Sequence, residues 1–572
     1  MTRPKDAILG IKYGGHDTAA ALFMDGRIVA ACEQERYTRD KHSRNFPTEA
    51  IQDCLKIGGI GIDDVSELAF VNHLKTYIRE IYLRPALESD ERIGFLLEDF
   101  ERVRKAFYME DVLREHTGFK GPISFQRHHM CHVAGSYYPS GFKDALLVSF
   151  DGMGEHETGV LATGIDGHIE IVQQSNTYPN SLGLVYSAIT YFLGWKNHYD
   201  EGIIMGLAPF GDSSKKIPGY HMTYYEVFEE ILQETGDYTF KVDFSWLDYY
   251  NTRDKWVSEK FVAVFGQKRN HGDAITEHHK NIAAAVQDRL EAVALGQLRR
   301  ARKQYGLKKL CLSGGVALNC SMNGAILKSG IFDELYVQPA SGDQGTTVGI
   351  CYLTHQQRIK SFIPAKKPNA YLGSRFTSEE VLQVLQGKGA QFSKPDNVFK
   401  KTAELLEEGK IIGWFQGAAE FGPRALGNRS ILCRPFPASM RDHLNLRVKF
   451  REEFRPFAPS VMREHAGEYF HINQESPHML MAVQAREETK DKIPATVHID
   501  GSCRVQTVTE GDNLAFYRLL QAFKERTGVP VLLNTSFNVK GQPIVNSPAE
   551  AVDCFQSTKI DCLVLGEYLL EK

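Results

Sequence analysis

The 572-residue chain has no apolar run approaching the length of a membrane span, so no transmembrane anchor is expected. It has no excess of basic charge either. Its 67 Lys and Arg against 71 Asp and Glu leave a formal net charge of −4, which supplies no general field for nucleic acid or a membrane surface. The ten cysteines include no Cys-x-x-Cys spacing, which argues against a metal ribbon or a redox pair. Met1 to Asp6 lead straight into a strand pattern rather than a signal peptide, so the thiols are predicted to be reduced and mostly buried, in the cytoplasm. Low-complexity tracts are lacking too. A hydrophobic share of 42% with 24% charged residues is that of a soluble globular protein, and the length predicts two or more domains.

What is present is chemistry at fixed spacing. His128 and His132 stand four apart in Gln-Arg-His-His-Met-Cys-His. On a helix they share a face, so two imidazoles can meet one cation. Alone, such a pair more often serves packing. Its company changes the reading: Asp151 opens the turn Asp-Gly-Met-Gly, and Asp343 lies in Ser-Gly-Asp-Gln-Gly-Thr. A carboxylate at the end of each of two strands would complete a mixed set suited to iron or zinc rather than magnesium. A third turn, Ser313-Gly314-Gly315-Val316, follows an apolar run and predicts a cradle of amides for a phosphate or nucleotide.

The same half of the chain carries a duplication. Residues 7–30 read as a strand, a turn with His16-Asp17, a second strand, an Asp25-Gly26 hairpin and a third strand. Residues 145–173 repeat that order around Asp151 and an Asp166-Gly167 hairpin. The pattern predicts a duplicated α/β domain with a nucleotide cleft, similar to the sugar kinase–actin superfold. A helix is predicted over roughly 273–305, with Ile282, Ala285, Val286, Leu290, Val293, Ala294 and Leu298 on its apolar stripe. Two prolines and lost periodicity predict a linker at 355–368 between domains 1–354 and 369–572.

The second half has a basic constellation: Arg424 in Phe-Gly-Pro-Arg-Ala-Leu-Gly-Asn-Arg-Ser, then Lys449, Arg455 and Arg504, with Asn534 and Ser536 at the end of a β-run. Forked guanidinium groups and a lysine bind phosphate and carboxylate oxygens. Arg455, between Phe454 and Pro456, is predicted to bind an anion. Arg451, followed by Glu452 and Glu453, is predicted to sit on a solvated face.

These residues match a family. The chain resembles the O-carbamoyltransferases of antibiotic and nodulation-factor biosynthesis along essentially its whole length. The resemblance is carried by Gly-Gly-His16-Asp17-Thr-Ala-Ala-Ala, Glu-Gln-Glu-Arg-Tyr-Thr-Arg-Asp-Lys41-His42, His128-His-Met-Cys-His132, Asp151-Gly-Met-Gly-Glu, Met205-Gly-Leu-Ala-Pro, Ser-Gly-Gly-Val-Ala-Leu-Asn319, Gly-Pro-Arg424-Ala-Leu-Gly-Asn-Arg429-Ser, Arg455-Pro-Phe-Ala-Pro and Leu-Asn534-Thr-Ser536-Phe-Asn.

The resemblance implies an α/β fold with an N-terminal duplicated sugar kinase–actin-like domain and a C-terminal α/β domain resembling the threonylcarbamoyl-adenylate synthases. It implies that carbamoyl phosphate and ATP, with Mg(2+), give carbamoyl-adenylate at Arg424, Lys449, Arg455, Arg504, Asn534 and Ser536. The carbamoyl group then passes to the hydroxyl of a small-molecule acceptor, a natural product or a sugar, at a site holding Fe(2+) or another divalent transition metal on His128, His132, Asp151 and Asp343. Lys41, Asp151, Gly314, Gly315 and Asn319 match positions at the adenylate, and His16 the position of a general base beside the acceptor. Neither Asp237 nor Asp243 is singled out as its helper. Ile203, where many relatives place Lys, and the non-acidic Tyr13-Gly14-Gly15 bear on which acceptor is used. No nucleic-acid or membrane partner is expected, and a homodimer stays open. Two rival readings are a tRNA threonylcarbamoyl-modification enzyme and a non-catalytic nucleotide-binding protein on the same superfold. The acid-leaning charge counts against the first, and the complete sets of candidate ligands against the second.

Overall fold

Two sheets with one strand order account for the internal duplication. In the first, β1 (Ala7–Lys12), β2 (Ala19–Met24), β3 (Arg27–Glu33), β4 (Glu67–Val71) and β5 (Ile123–Gln126) lie in the order β3-β2-β1-β4-β5. In the second, β6 (Asp144–Phe150), β7 (Glu157–Ile165), β8 (His168–Thr177), β9 (Lys309–Ser313) and β10 (Glu334–Val337) lie in the order β8-β7-β6-β9-β10. Each sheet sets its first strand antiparallel to the second and parallel to the fourth. Asp25-Gly26 and Asp166-Gly167 close the matching hairpins, all four residues at positive φ, as a two-residue primed turn requires. This is the duplicated sugar kinase–actin-like arrangement.

The computed structural model describes residues 6–87, 89–250, 252–359, 369–449, 451–452 and 454–572. They form two compact units, the first of residues 1–29, 44–48 and 58–368, the second of residues 30–43, 49–57 and 369–572. Most of the expected linker, 360–368, lies outside the described residues; its first two residues still belong to a helix that ends at Gln356.

In the first unit, α1 (His128–Ser140) is buried at every residue except Met130. The predicted long helix is α2 (Glu277–Tyr305), and all seven stripe residues named above are buried. The third helix of consequence, α3 (Thr346–Gln356), crosses α1 in backbone contact: a Cβ on Gly349 would stand 1.8 Å from the Cys131 carbonyl oxygen. Only glycine permits that approach, which fixes the histidine face of α1 against the turn leading into α3.

The second unit holds a seven-stranded mixed sheet. In spatial order its strands are Gln506–Val508, Ala458–Met462, Val531–Ser536, Arg429–Cys433, Ile412–Phe415, Cys562–Leu565 and Tyr568–Glu571. Its core includes Phe415, Ile431, Leu444, Phe457, Leu533, Phe537 and Leu563. Residues 30–43 and 49–57 belong here because of their long-range bonds. Buried Arg36 donates to the carbonyl of Gly422, Arg39 to those of Pro543 (2.8 Å) and Ile544 (2.7 Å), and Tyr37 to Asp53 at 2.6 Å. All ten cysteines are buried and in no disulfide, and no helix among the described residues is long and apolar enough to cross a membrane.

Candidate functional site

At the head of the first unit's second sheet, α1 and two strand-end turns bring His128, His132, Asp151 and Asp343 together, all buried, with one ligand atom of each within 4.8 Å of the others. His128 Nε2 is 3.2 Å from Asp151 Oδ2 and 3.4 Å from Asp343 Oδ1. His132 Nε2 is 3.6 and 3.8 Å from the same oxygens and has no hydrogen-bond partner. Atoms bound about 2.1 Å from one ion lie about 3.0 to 3.4 Å apart, depending on geometry. The His128–Asp151 contact is also a hydrogen bond and the His132 separations are slightly wider than that spacing, but the two-imidazole, two-carboxylate set, with one buried ligand atom from each converging, fits a divalent transition metal.

The remaining atoms of these side chains are held from outside. Asp151 Oδ1 accepts from the amide of Gly315 at 2.8 Å, and Asp343 Oδ2 pairs with Lys12 Nζ at 3.1 Å. Glu155, fully buried, accepts from the amide of His128 at 2.9 Å and anchors the start of α1. Burial opposes ionisation of Asp151 and Asp343, but the histidines, and Lys12 for Asp343, hold both carboxyls well below their usual range. Burial also opposes charging of His132, yet the two carboxylates raise it to about 9 in the metal-free chain. His129, between them in sequence, is a satisfied core residue. Its ring meets Ser149 Oγ and the Glu157 carbonyl at 2.8 Å each, and burial holds it neutral.

His16 lies in the turn after β1 with its ring 41% exposed and Nδ1 2.8 Å from Asp17 Oδ2. Asp17 is thus the carboxylate that meets the His16 ring. Asp237 is spent on Thr235 and Thr239, and Asp243 on the amide of Ser245. Desolvation opposes charge on His16, but the bond to Asp17 and the fields of Asp17 and Asp343 raise it to about 9. At neutral pH the metal-free chain therefore carries it protonated, not neutral as a resting base would be.

Gly314 has φ 87°, and a Cβ there would meet the Phe150 carbonyl at 2.2 Å, so the Ser-Gly-Gly turn needs glycine. Asn319 caps the following helix through Met322 N (2.9 Å) and bonds Gln287 (2.8 Å), so its amide is engaged within the protein. Lys41 is exposed and belongs to the second unit. Ile203 is buried in a short helix and lines no open surface.

In the second unit, Lys449 Nζ donates to the carbonyl of Ser536 and to Asn538 Oδ1 at 2.8 Å. Burial lowers its pKa well below the usual lysine value, and the charges of Arg451, Lys41 and Arg455 lower it further. Arg451 is likewise depressed by burial, then by Arg455 and Arg504. Its guanidinium lies over Phe457 at 4.3 Å and bonds Asn445 at 2.9 Å, which corrects the solvated face expected for it: the side chain folds inward and joins the cationic cluster. Asn534 is fully buried, donating to Ser460, to Gln506 and to the carbonyl of Ala425 (3.3 Å), so it supports the turn that carries Arg424. Buried Glu420 organises the same turn by accepting the amides of Leu426 (2.7 Å), Asn428 (2.8 Å) and Arg429 (3.2 Å).

Comparison with known proteins agrees across both units. The family described as "Carbamoyltransferase N-terminus" matches residues 7–352, and "Carbamoyltransferase C-terminus" matches residues 403–572. "Nodulation protein NolNO" of Sinorhizobium fredii is 36% identical over 97% of this chain and 79% of its own. "3'-hydroxymethylcephem-O-carbamoyltransferase" of Streptomyces clavuligerus is 27% identical over 97% of each. Among solved structures, component A of the Acidaminococcus fermentans (R)-2-hydroxyglutaryl-CoA dehydratase aligns with a TM-score of 0.32 and 12% identity over 62% of this chain and 99% of its own. With both family halves matched in order, the chain belongs to the carbamoyltransferase family.

Proposed function

We propose that the protein is an O-carbamoyltransferase that makes carbamoyl-adenylate from carbamoyl phosphate and ATP in its second unit and transfers the carbamoyl group to a small-molecule hydroxyl in its first. The observation that carries this reading is the cationic cluster of Lys449, Arg451, Arg455 and Arg504: after burial, Arg451 and Arg455 lower the pKa of Lys449, and Arg455 and Arg504 lower that of Arg451. Like charges held together inside a protein are stabilised by an anion, and both substrates supply one.

Hydrolysis of carbamoyl phosphate releases phosphate and leaves carbamate. A carbamate oxygen then attacks the α-phosphorus of ATP and pyrophosphate departs. Lys449 and the arginines would hold the phosphate oxygens and stabilise charge as each bond breaks, with Ser536 as a neutral donor. In the first unit the acceptor oxygen attacks the carbamoyl carbon, AMP leaves, and the acceptor proton passes to His16 Nε2 while Asp17 holds Nδ1. His128, His132, Asp151 and Asp343 would hold a divalent transition metal, iron in the family reading, which supplies Lewis acidity toward phosphate or carbonyl oxygen. Gly314 and Gly315 leave room for an anion near Asp151.

Exchange of radiolabelled pyrophosphate into ATP tests the first step. It should require carbamoyl phosphate or its product carbamate, and mass spectrometry should find the mixed anhydride. Exchange that ignores both carbamoyl donors, or ATP cleavage to ADP alone, would overturn the reading.

A further inference from the structure

Arg455 is gripped by the backbone on both of its sides. The carbonyl of Phe454, just before it, accepts from His498 Nε2 at 3.3 Å, and the carbonyl of Pro456, just after it, accepts from Arg451 Nη2 at 3.3 Å. Its own amide donates to the Glu452 carbonyl at 3.2 Å. The guanidinium is 32% exposed, with Nη1 3.7 Å from Glu452 Oε2. Arg451 is itself a member of the cationic cluster. His498 reaches the segment from a different hairpin, 44 residues on from Phe454. It opens the turn His498-Ile499-Asp500-Gly501-Ser502, which leads into the strand Ser502–Arg504. The turn is tightly closed. The His498 amide donates to the Ser502 carbonyl at 2.9 Å, the Gly501 amide to the His498 carbonyl at 3.0 Å and the Ser502 amide to Asp500 Oδ1 at 2.9 Å, with Gly501 at φ 81°. The His498 side chain is 8% exposed, and its Nδ1 lies 3.4 Å from Asp500 Oδ1. Burial opposes ionisation of Asp500, but its bonds to His498 and Ser502 hold its carboxyl down at about 2, so a charged group faces the ring at neutral pH.

We infer that His498, oriented by Asp500, is a positioning residue for carbamoyl phosphate: it ties the segment of Arg455 to the turn that leads to Arg504, so that the two guanidinium groups keep a fixed relation to one anion. The inference rests on the second unit's cluster holding that substrate, as proposed above. Arg455 and Arg504 both bear on Arg451, so three like charges share a small volume and repel one another. A long side chain answers repulsion by swinging away, and its freedom is costly to remove one rotamer at a time. Holding the carbonyls on either side of Arg455 fixes the root of that side chain instead. A fork can meet phosphate oxygens through two N–H groups only when its base is so fixed. His498 therefore acts through Arg455 and not on the reacting bond.

The test is calorimetric titration of the full chain with carbamoyl phosphate, beside pyrophosphate exchange measured at varied carbamoyl phosphate and at varied ATP. His498→Phe fills the space without a donor. It should weaken carbamoyl phosphate binding about tenfold or more and raise the KM for that substrate in step, with the KM for ATP and the limiting rate changed less. His498→Gln, whose amide can still donate to the Phe454 carbonyl, should recover most of the loss, and Asp500→Asn should fall between the two. A residue that served stability alone would lower the melting temperature and leave the affinity of the folded protein in place. Unchanged affinity in His498→Phe, or an equal loss in His498→Gln, overturns the positioning role, and normal exchange by the wild type then leaves the reaction reading standing. Should His498→Phe not fold, Asp500→Asn decides, and wild-type affinity there overturns the role. A loss in His498→Phe that His498→Gln restores, in a wild type that binds carbamoyl phosphate but exchanges no pyrophosphate, supports the role and counts against the reaction reading alone. A wild type that binds no carbamoyl phosphate overturns the role outright.

Discussion

Lys12 Nζ and Asp343 Oδ2 form a buried ion pair at 3.1 Å, leaving Asp343 Oδ1 to face His128 and His132. The lysine balances the carboxylate in the metal-free chain and would fix Oδ1 as the oxygen offered to a cation held by the four side chains. Breaking a buried pair by removing one partner costs about 3 to 5 kcal/mol, because a charge is left uncompensated. Lys12→Met should therefore lower the melting temperature of chelator-treated protein strongly, and saturating divalent metal should restore most of the loss. An equal loss with and without metal would show that Lys12 serves packing alone.

The four-ligand cluster predicts about one transition-metal ion per chain by elemental analysis. His132→Ala should lose the ion and carbamoyl transfer together. His129→Ala is the internal control, since that ring is spent on Ser149 and Glu157. It should lose stability and keep its metal. Full occupancy in His132→Ala would remove that residue from the site.

Protons and metal compete for the same histidine. With His132 raised to about 9 in the metal-free chain, apparent metal affinity should climb with pH, roughly tenfold per unit, and level off near pH 9. The linkage to stability has the opposite sense. A pKa raised above its unfolded value contributes stability that is present below about 6.5 and lost as pH rises through about 9. His16 adds to the same window. Chelator-treated protein should thus lose stability between pH 7 and 9.5 while metal-loaded protein changes less, as calorimetry would register. A pH-independent affinity over that range would contradict the assignment.

The two acidic hairpins and the i, i+4 histidines could be read from the chain because they are local: Asp-Gly sets its own turn, and helical spacing sets its own face. What escaped depends on residues far apart in sequence. Lys12 ends a strand otherwise fully apolar, and only the return of the chain at Asp343 gives it a role. Residues 30–43 read as part of the first domain because nothing local announces the bond from Arg36 to Gly422, 386 residues away. Arg451 departs from its local pattern for the reverse reason. Adjacent acids suggested local neutralisation, whereas Phe457 and Asn445 draw the guanidinium inward.

Arg455→Ala should abolish carbamoyl-dependent pyrophosphate exchange and leave metal content intact, and Arg455→Lys should rescue little, since a point charge does not replace a fork. Arg451→Ala should also impair exchange, by tenfold or more, if its guanidinium belongs to the anion site. With synthetic carbamoyl-adenylate supplied, both variants should still carbamoylate the acceptor. Normal exchange in Arg455→Ala would remove the second unit's cluster from the first half-reaction.

His16→Ala should form carbamoyl-adenylate and keep its metal, yet transfer the carbamoyl group roughly a hundredfold more slowly, the usual weight of a general base. The pH profile decides what Asp17 does. Asp17 raises His16, and so does the charge of Asp343, which a bound dication would offset. In the metal-free chain the basic form accumulates only as pH rises toward about 9, so single-turnover transfer from supplied adenylate by loaded enzyme should increase with pH through a midpoint below that value. Asp17→Asn removes both the hydrogen-bonded charge and its field, so the midpoint should move down toward the ordinary histidine value near 6.5. The ceiling of the rate should fall as well, because nothing then stabilises the imidazolium as it takes the acceptor proton. A residue that merely shaped the turn would lower the rate and leave the midpoint in place. An unmoved midpoint in Asp17→Asn would therefore reduce Asp17 to a structural part, and near-normal transfer by His16→Ala would exclude His16 as the base.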